Sequence, residues 1–78
     1  MEALIDYIAR SLVDDPTQVE IFQYQRGSTV TFELTVAKGD MGRIIGKRGR
    51  VASAMRALLK VAAAREGTRA SLDIVDPE

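Results

Sequence analysis

Residues 29–36 carry a strict two-residue alternation. Val30, Phe32, Leu34 and Val36 fall on one side of an extended chain, and Thr29, Thr31, Glu33 and Thr35 on the other. Period two is the repeat of a β-strand, because successive side chains point to opposite faces of a sheet. A strand that is apolar on one side only is half-buried: one side must be covered while the other meets water. That requirement limits the chain to a sheet with a second layer packed on one face. The flanking sequence supplies the layer. Met1, Leu4, Ile5, Ile8 and Leu12 recur at helical spacing, which predicts an amphipathic helix over 2–13, ended by Asp14, Asp15 and Pro16. Residues Arg50 to Arg65 predict a long helix with Val51, Met55, Leu58 and Ala62 as its core stripe and Gly67 as its stop.

Two more strands complete the sheet. Residues 18–25 predict a strand with Val19 and Ile21 on one face, and the turn Arg26-Gly27-Ser28 joins it to the alternating segment as a hairpin. Phe22 and Tyr24 fall on its other face, where polar residues are expected. Lys38 and Gly39 close the second strand. Asp40 is the expected N-cap of a short helix, Met41 to Ile45, which Gly46 stops. Residues 69–75 alternate again with Ala70, Leu72 and Ile74 inward, predicting a third strand. The order is α-β-β-α-α-β. The fold class is therefore α+β, a three-stranded sheet with helices packed on one face, and 78 residues leave room for one domain over 1–78.

Composition removes whole classes of chemistry. The chain has no cysteine, histidine or tryptophan. Cys/His zinc sites, Ser-His-Asp triads and thiol nucleophiles are excluded. Asp14-Asp15 is a pair of adjacent carboxylates, and Asp73 and Asp76 lie close together in sequence, but they sit at a turn and near the C-terminus with no pocket-forming sequence beside them. Solvation and helix termination account for them better than acid–base work. No catalytic, metal or cofactor site is expected. No uncharged run approaches the roughly 20 residues that span a bilayer, and Glu2 and Asp6 stand where a signal peptide would be basic. A cytoplasmic chain without a membrane partner is expected.

The formal net charge is zero, with 11 basic and 11 acidic residues. The zero conceals a partition. Residues 41–65 hold Arg43, Lys47, Arg48, Arg50, Arg56, Lys60 and Arg65 and no acidic residue, so this window carries +7 and the remainder −7. Local potential steers a ligand more than net charge does. Solvated basic helix faces are common, but four of these cations, Arg43, Lys47, Arg48 and Arg50, crowd around the loop Gly46-Lys47-Arg48-Gly49. Like charges at such spacing repel unless an anion lies among them. The loop also leads into the N-terminus of the long helix, whose free N–H groups and dipole attract phosphate. It is not a nucleotide-binding P-loop: Gly42 and Gly46-Lys47 enclose three residues instead of four, and Arg48 stands where a magnesium-binding hydroxyl is needed. The dinucleotide fingerprint fails in spacing as well.

The longer string Ile44-Ile45-Gly46-Lys47-Arg48-Gly49-Arg50-Val51-Ala52 resembles the signature of the KH domain, an RNA-binding module whose G-x-x-G loop clamps a short run of nucleotides. The element order is similar to the bacterial type II arrangement. The opening helix, the Asp-Pro turn and the run from Asp40 to Arg50 resemble the small stand-alone bacterial KH proteins of the KhpA (YlqC) family, almost end to end from Met1 to Asp76. The resemblance implies a non-enzymatic protein that clamps single-stranded RNA, a broad-specificity RNA chaperone or post-transcriptional regulator. It implies that Gly46 and Gly49 set the loop geometry, that Lys47 and Arg48 project to phosphates, and that Arg43 and Arg50 add phosphate contacts. It places bases in an apolar groove near Ile44, Ile45 and Val51. Ile44 and Ile45 are about 100° apart on a helix, so one lines the groove and the other packs inward. As partners it implies a second copy of the chain or a larger KH-containing protein of the KhpB (Jag) type. An adaptor that dimerises through the glycine-loop region and lends RNA affinity to such a partner is the alternative, and a ribosome-associated factor a third reading. Alanines at 57 and 62–64 would allow close helix–helix approach across a dimer. Phe22 and Tyr24 could stack bases, meet a partner across the sheet face, or owe their place to a bulge that turns one inward; KH grooves do not generally depend on aromatic stacking, which favours the last two.

Overall fold

In the computed structural model the alternating segment becomes the middle strand of the sheet. The structure describes residues 1–76, at residue 47 the backbone alone. Helix α1 is Glu2–Leu12, strand β1 Glu20–Arg26, strand β2 Thr29–Thr35, helix α2 Met41–Ile45, helix α3 Arg50–Arg65 and strand β3 Arg69–Ile74. Single 3-10 turns at Pro16–Gln18, Lys38–Asp40 and Lys47–Gly49 fill three of the connections. Strands β1 and β2 form the antiparallel hairpin, from Glu20 opposite Thr35 to Arg26 opposite Thr29. Strand β3 lies parallel to β2 on its other side, from Thr29 beside Arg69 to Leu34 beside Ile74. A parallel neighbour requires a crossover, which α2 and α3 provide. This is the α+β arrangement of a type II KH fold, with a mixed three-stranded sheet and three helices.

The core forms where the apolar face of the sheet meets the helices. Val30, Phe32, Leu34 and Val36 are all buried, with Leu72 beside them on β3. The helices contribute Ile5, Ala9, Ile44, Met55 and Leu59. Complete burial of a side chain such as Phe32 is worth roughly 2–3 kcal/mol against its exposed state, so this layer is the main stabilising contact of a small domain.

Several sequence expectations shift by a residue or by a helix face. Helix α1 ends at Leu12 rather than 13, with Val13 already extended, and it buries Ile5 and Ala9 while Leu12 is exposed. Strand β1 starts at Glu20, because Asp15 accepts a hydrogen bond from the Thr17 N–H and closes a turn over 16–18. On α3 the buried stripe is Ala52, Met55, Leu59 and Ala63, and Leu58 is 48% exposed, with Val51 and Ala62 half-buried. The expected and observed stripes share Met55 and differ by a rotation of about one position, or 100°. Met55 and Leu59 join Phe32, Leu34 and Leu72 in one buried cluster. Close packing is then met by alanines at both ends of the stripe and larger chains only in its middle.

Asp40 precedes α2, yet its side chain caps nothing in that helix. It is buried, and its carboxylate accepts from the backbone N–H of Asp14 at 3.0 Å and of Asp15 at 3.1 Å. A buried carboxylate is costly unless hydrogen-bonded, and these two donors together with Arg43 satisfy it. The result is a tie between the turn after α1 and the start of α2. Strands β1 and β2 pair without interruption, so no bulge turns Phe22 or Tyr24 inward. Both lie on the open face of the sheet, 59% and 45% exposed, in rows with Thr31, Glu33, Ser71 and Asp73.

Candidate nucleic-acid interface

The loop between α2 and α3 has the most constrained backbone in the chain. Helix α2 ends because Gly46 takes φ 67°, ψ −179°, while its N–H still closes the helix on the Gly42 carbonyl at 2.8 Å. That region of backbone space is essentially reserved for glycine. A Cβ at Gly46 would also lie 2.4 Å from Val51 Cγ2 and 2.9 Å from Val51 Cβ, so the loop folds back directly over the first turn of α3. Arg48 is left-handed at φ 56°, ψ 31°, and is the sole non-glycine with positive φ among the described residues. Gly49 follows at φ 75°, ψ 13°. The chain thus reverses within four residues and delivers its backbone to the N-terminus of a 16-residue helix. Gly49 is the N-cap of α3 and offers no side chain to its first N–H groups. An uncapped N-terminus of a long helix favours an anion.

The side chains around the loop divide by role. Arg48 and Arg50 are exposed, and among the described residues neither is in an ion pair. The side chain of Lys47 lies outside the described residues. Arg43 is engaged within the protein: its Nη2 is 3.0 Å from Asp14 Oδ2, and its Nε 3.5 Å from Asp40 Oδ1. Helical spacing sets it about 160° around α2 from Ile45. Ile44 is fully buried in the core, and Ile45 is 42% exposed. Of the two isoleucines, Ile45 is therefore the one available to a groove. Val51 is half-buried beneath Gly46.

A groove of about 800 Å³ runs beside the free edge of β3, which the sequence reading did not find. Arg56, Lys60 and Ala64 of α3 form one wall, and residues 68–73 the other. Gly49, Arg56 and Lys60 fall within about 40° of one another around α3, so this wall continues the line of the loop. Arg56 Nε donates to the Leu72 carbonyl at 3.1 Å, which gives an acceptor on the free strand edge a partner. The signal for this wall was present in the four-residue spacing of Arg56 and Lys60. What it lacked was the knowledge that β3 returns alongside α3. Among the described residues no cluster of acidic side chains could hold a metal ion. Among the described residues no helix is long and apolar enough to cross a membrane.

The family model for the KH domain of KhpA and KhpB matches residues 2–74. The chain belongs to the KhpA/KhpB KH-domain family. Its similarity to individual members extends over nearly their whole length. It is 45% identical over 76 residues to a protein of Chlamydia trachomatis named RNA-binding protein KhpA, covering 97% of each chain. It is 41% identical over 76 residues to the protein of that name from Halalkalibacterium halodurans, covering 97% of this chain and all of that one. The corresponding protein of Caldanaerobacter subterraneus is 43% identical over 75 residues, covering 96% of this chain and all of its own.

Proposed function

We propose that this chain is a non-enzymatic, cytoplasmic RNA-binding protein that clamps single-stranded RNA with the Gly46–Gly49 loop, serving many transcripts as an RNA chaperone or post-transcriptional regulator. The observation that carries the reading is the loop itself. Its backbone reverses over Val51 and opens onto the uncapped N-terminus of α3, with Arg48 and Arg50 exposed beside it. A phosphate on this N-terminus gains the helix dipole and charge-assisted hydrogen bonds from arginine. The bases of the strand then run over Ile45 and into the groove walled by Arg56, Lys60 and β3. The relatives named RNA-binding proteins support the same reading.

The test is a Lys47→Asp, Arg48→Asp double variant, titrated against a fluorescent single-stranded RNA at several salt concentrations. Aspartate tolerates the left-handed conformation of position 48 at least as well as arginine, so the variant folds. The parent should show a slope of log K against log salt of roughly −3 if about four phosphates are neutralised. The variant should bind at least about tenfold more weakly, with a slope shallower by roughly 1 or more. Undiminished affinity in a normally folded variant refutes the clamp.

The second reading is an adaptor that dimerises and lends RNA affinity to a larger KH-containing partner. Its supporting observation is the exposure of Leu58 and Val61, three residues apart on the outer side of α3. A Leu58→Lys variant that binds RNA normally but no longer associates with such a partner would assign that side of α3 to the adaptor role.

A further inference from the structure

We infer that Arg56 sets the base preference of the groove beside β3: it turns the free edge of that strand into a surface of donors, which takes a base with two adjacent acceptors, cytosine or guanine, and rejects adenine. The inference deepens the RNA-binding reading and rests on it. Strand β3 has a neighbour, β2, on one side only. Along a parallel ladder alternate residues turn both N–H and C=O to the same neighbour. The Arg69 N–H donates to the Ser28 carbonyl at 2.8 Å and the Val75 N–H to the Leu34 carbonyl at 2.9 Å, so the odd-numbered residues face β2. Ala70, Leu72 and Ile74 therefore turn their N–H and C=O groups to the free edge, and residues 68–73 line the groove. Left alone, each of these residues offers one donor beside one acceptor. Arg56 breaks that pattern at Leu72, where its Nε donates to the carbonyl at 3.1 Å. The Leu72 side chain is buried in the core, which fixes the carbonyl that Arg56 holds. Among the described residues Arg56 is in no ion pair.

A guanidinium has only donors and no acceptor. With Nε engaged by Leu72, the two Nη groups remain for a ligand. At this point the groove offers donors from Arg56 and from the Leu72 N–H, while the local acceptor is already taken. Splayed bases are read on their Watson–Crick and Hoogsteen edges. Guanine sets O6 beside N7, and cytosine sets O2 beside N3, so each presents two acceptors in a row. Adenine has no such pair, because its N6 amino group donates next to N7 and next to N1. In uracil the N3–H stands between the two carbonyls. Adenine against this edge leaves its amino group facing donors, and a polar group without a partner in a contact is costly. An uncovered strand edge reads in the opposite sense, since one N–H beside one C=O matches adenine. Lys60, one turn further along α3, makes no hydrogen bond to the edge among the described residues. As a point charge it attracts phosphate whatever the base.

The experiment titrates four fluorescent RNA octamers, uridine throughout except for a central pair AA, CC, GG or UU, against the parent, Arg56→Gln, Arg56→Met and Lys60→Met at two salt concentrations. The parent should bind the CC and GG octamers at least about fivefold more tightly than AA or UU. Glutamine brings an amide N–H for the Leu72 carbonyl and a carbonyl for the groove, the combination that suits adenine. Arg56→Gln should therefore reverse the order, with AA at least as tight as CC and GG. Arg56→Met uncovers the edge and should erase the preference for CC and GG. Both variants lose one cation, so all affinities fall together and the ratio between octamers is the readout. Lys60→Met should weaken all four by a common factor and leave the ratios unchanged. Arg56 is exposed, glutamine and methionine are good helix formers, and circular dichroism checks that each variant folds. A parent that binds the four octamers alike overturns the proposal. So does an Arg56→Gln variant that weakens all four equally with a shallower salt slope, the behaviour of a phosphate contact. Absence of base preference with RNA binding intact leaves the loop clamp standing, whereas a parent that binds none of the octamers overturns both readings.

Discussion

Gly46→Ala should be among the most destabilising single-methyl additions available in this chain, and the structure says why. Two costs add. Alanine would have to occupy φ 67°, ψ −179°, a conformation worth roughly 1–3 kcal/mol of strain for a residue with a Cβ. The new Cβ would also meet Val51 Cγ2 at 2.4 Å and Val51 N at 3.1 Å, in a tight turn with backbone on one side. Forced overpacking of this kind costs about 1–3 kcal/mol more. The sum is roughly 2–6 kcal/mol, against a total stability on the order of 4–12 kcal/mol for a domain of this size. Melting should fall by roughly 10–45 °C. Gly49→Ala is the internal control. Gly49 is ordinary left-handed at φ 75°, ψ 13°, and nothing lies within 4 Å of its would-be Cβ. Its cost is the left-handed penalty alone, about 1–2 kcal/mol. Urea denaturation of both variants, with equal m-values, reads the difference directly. Val51→Ala in the Gly46→Ala background removes the nearer clash and should return part of the loss, a coupling of about 1 kcal/mol. If Gly46→Ala costs no more than Gly49→Ala, the account of this loop as folded onto Val51 is wrong.

Two other outcomes test the packing. Leu59→Ala should cost roughly 2–5 kcal/mol, whereas its neighbour Leu58→Ala should cost under about 1 kcal/mol, measured by the same denaturation; reversal of that order would restore the stripe that periodicity alone selected. Asp40→Ala should cost about 3 kcal/mol or more, since it orphans the N–H groups of Asp14 and Asp15 and one partner of Arg43, and hydrogen exchange at residues 14 and 15 should rise with it.

The site was partly legible from residues alone. The G-x-x-G loop, its flanking cations and the helix it opens are contiguous in sequence, so their chemistry could be read as a string. The groove beside β3 is not contiguous: Arg56 and Lys60 meet residues 68–73 only because a parallel strand must return along its own crossover. Arg43 shows the same limit. Its position suggested a phosphate ligand, and its geometry shows a partner, Asp14, from 29 residues earlier. Charge counting along a chain cannot see such pairs.

The sequence by itself determined the elements and the layer rule. Period two at 29–36 required a covered sheet, helical spacing at both ends supplied the cover, and glycine at 46 and 49 marked where the backbone must leave ordinary conformations. These are properties of local geometry, in which each residue constrains its near neighbours. The tertiary structure alone decided which face of α3 is buried, which isoleucine is free, where the carboxylate of Asp40 points, and that Phe22 and Tyr24 stay outside. Each of those depends on what already occupies the space opposite. Ile44 and Ile45 are equally apolar, and only the packing of α2 against α1 and α3 around the core distinguishes them.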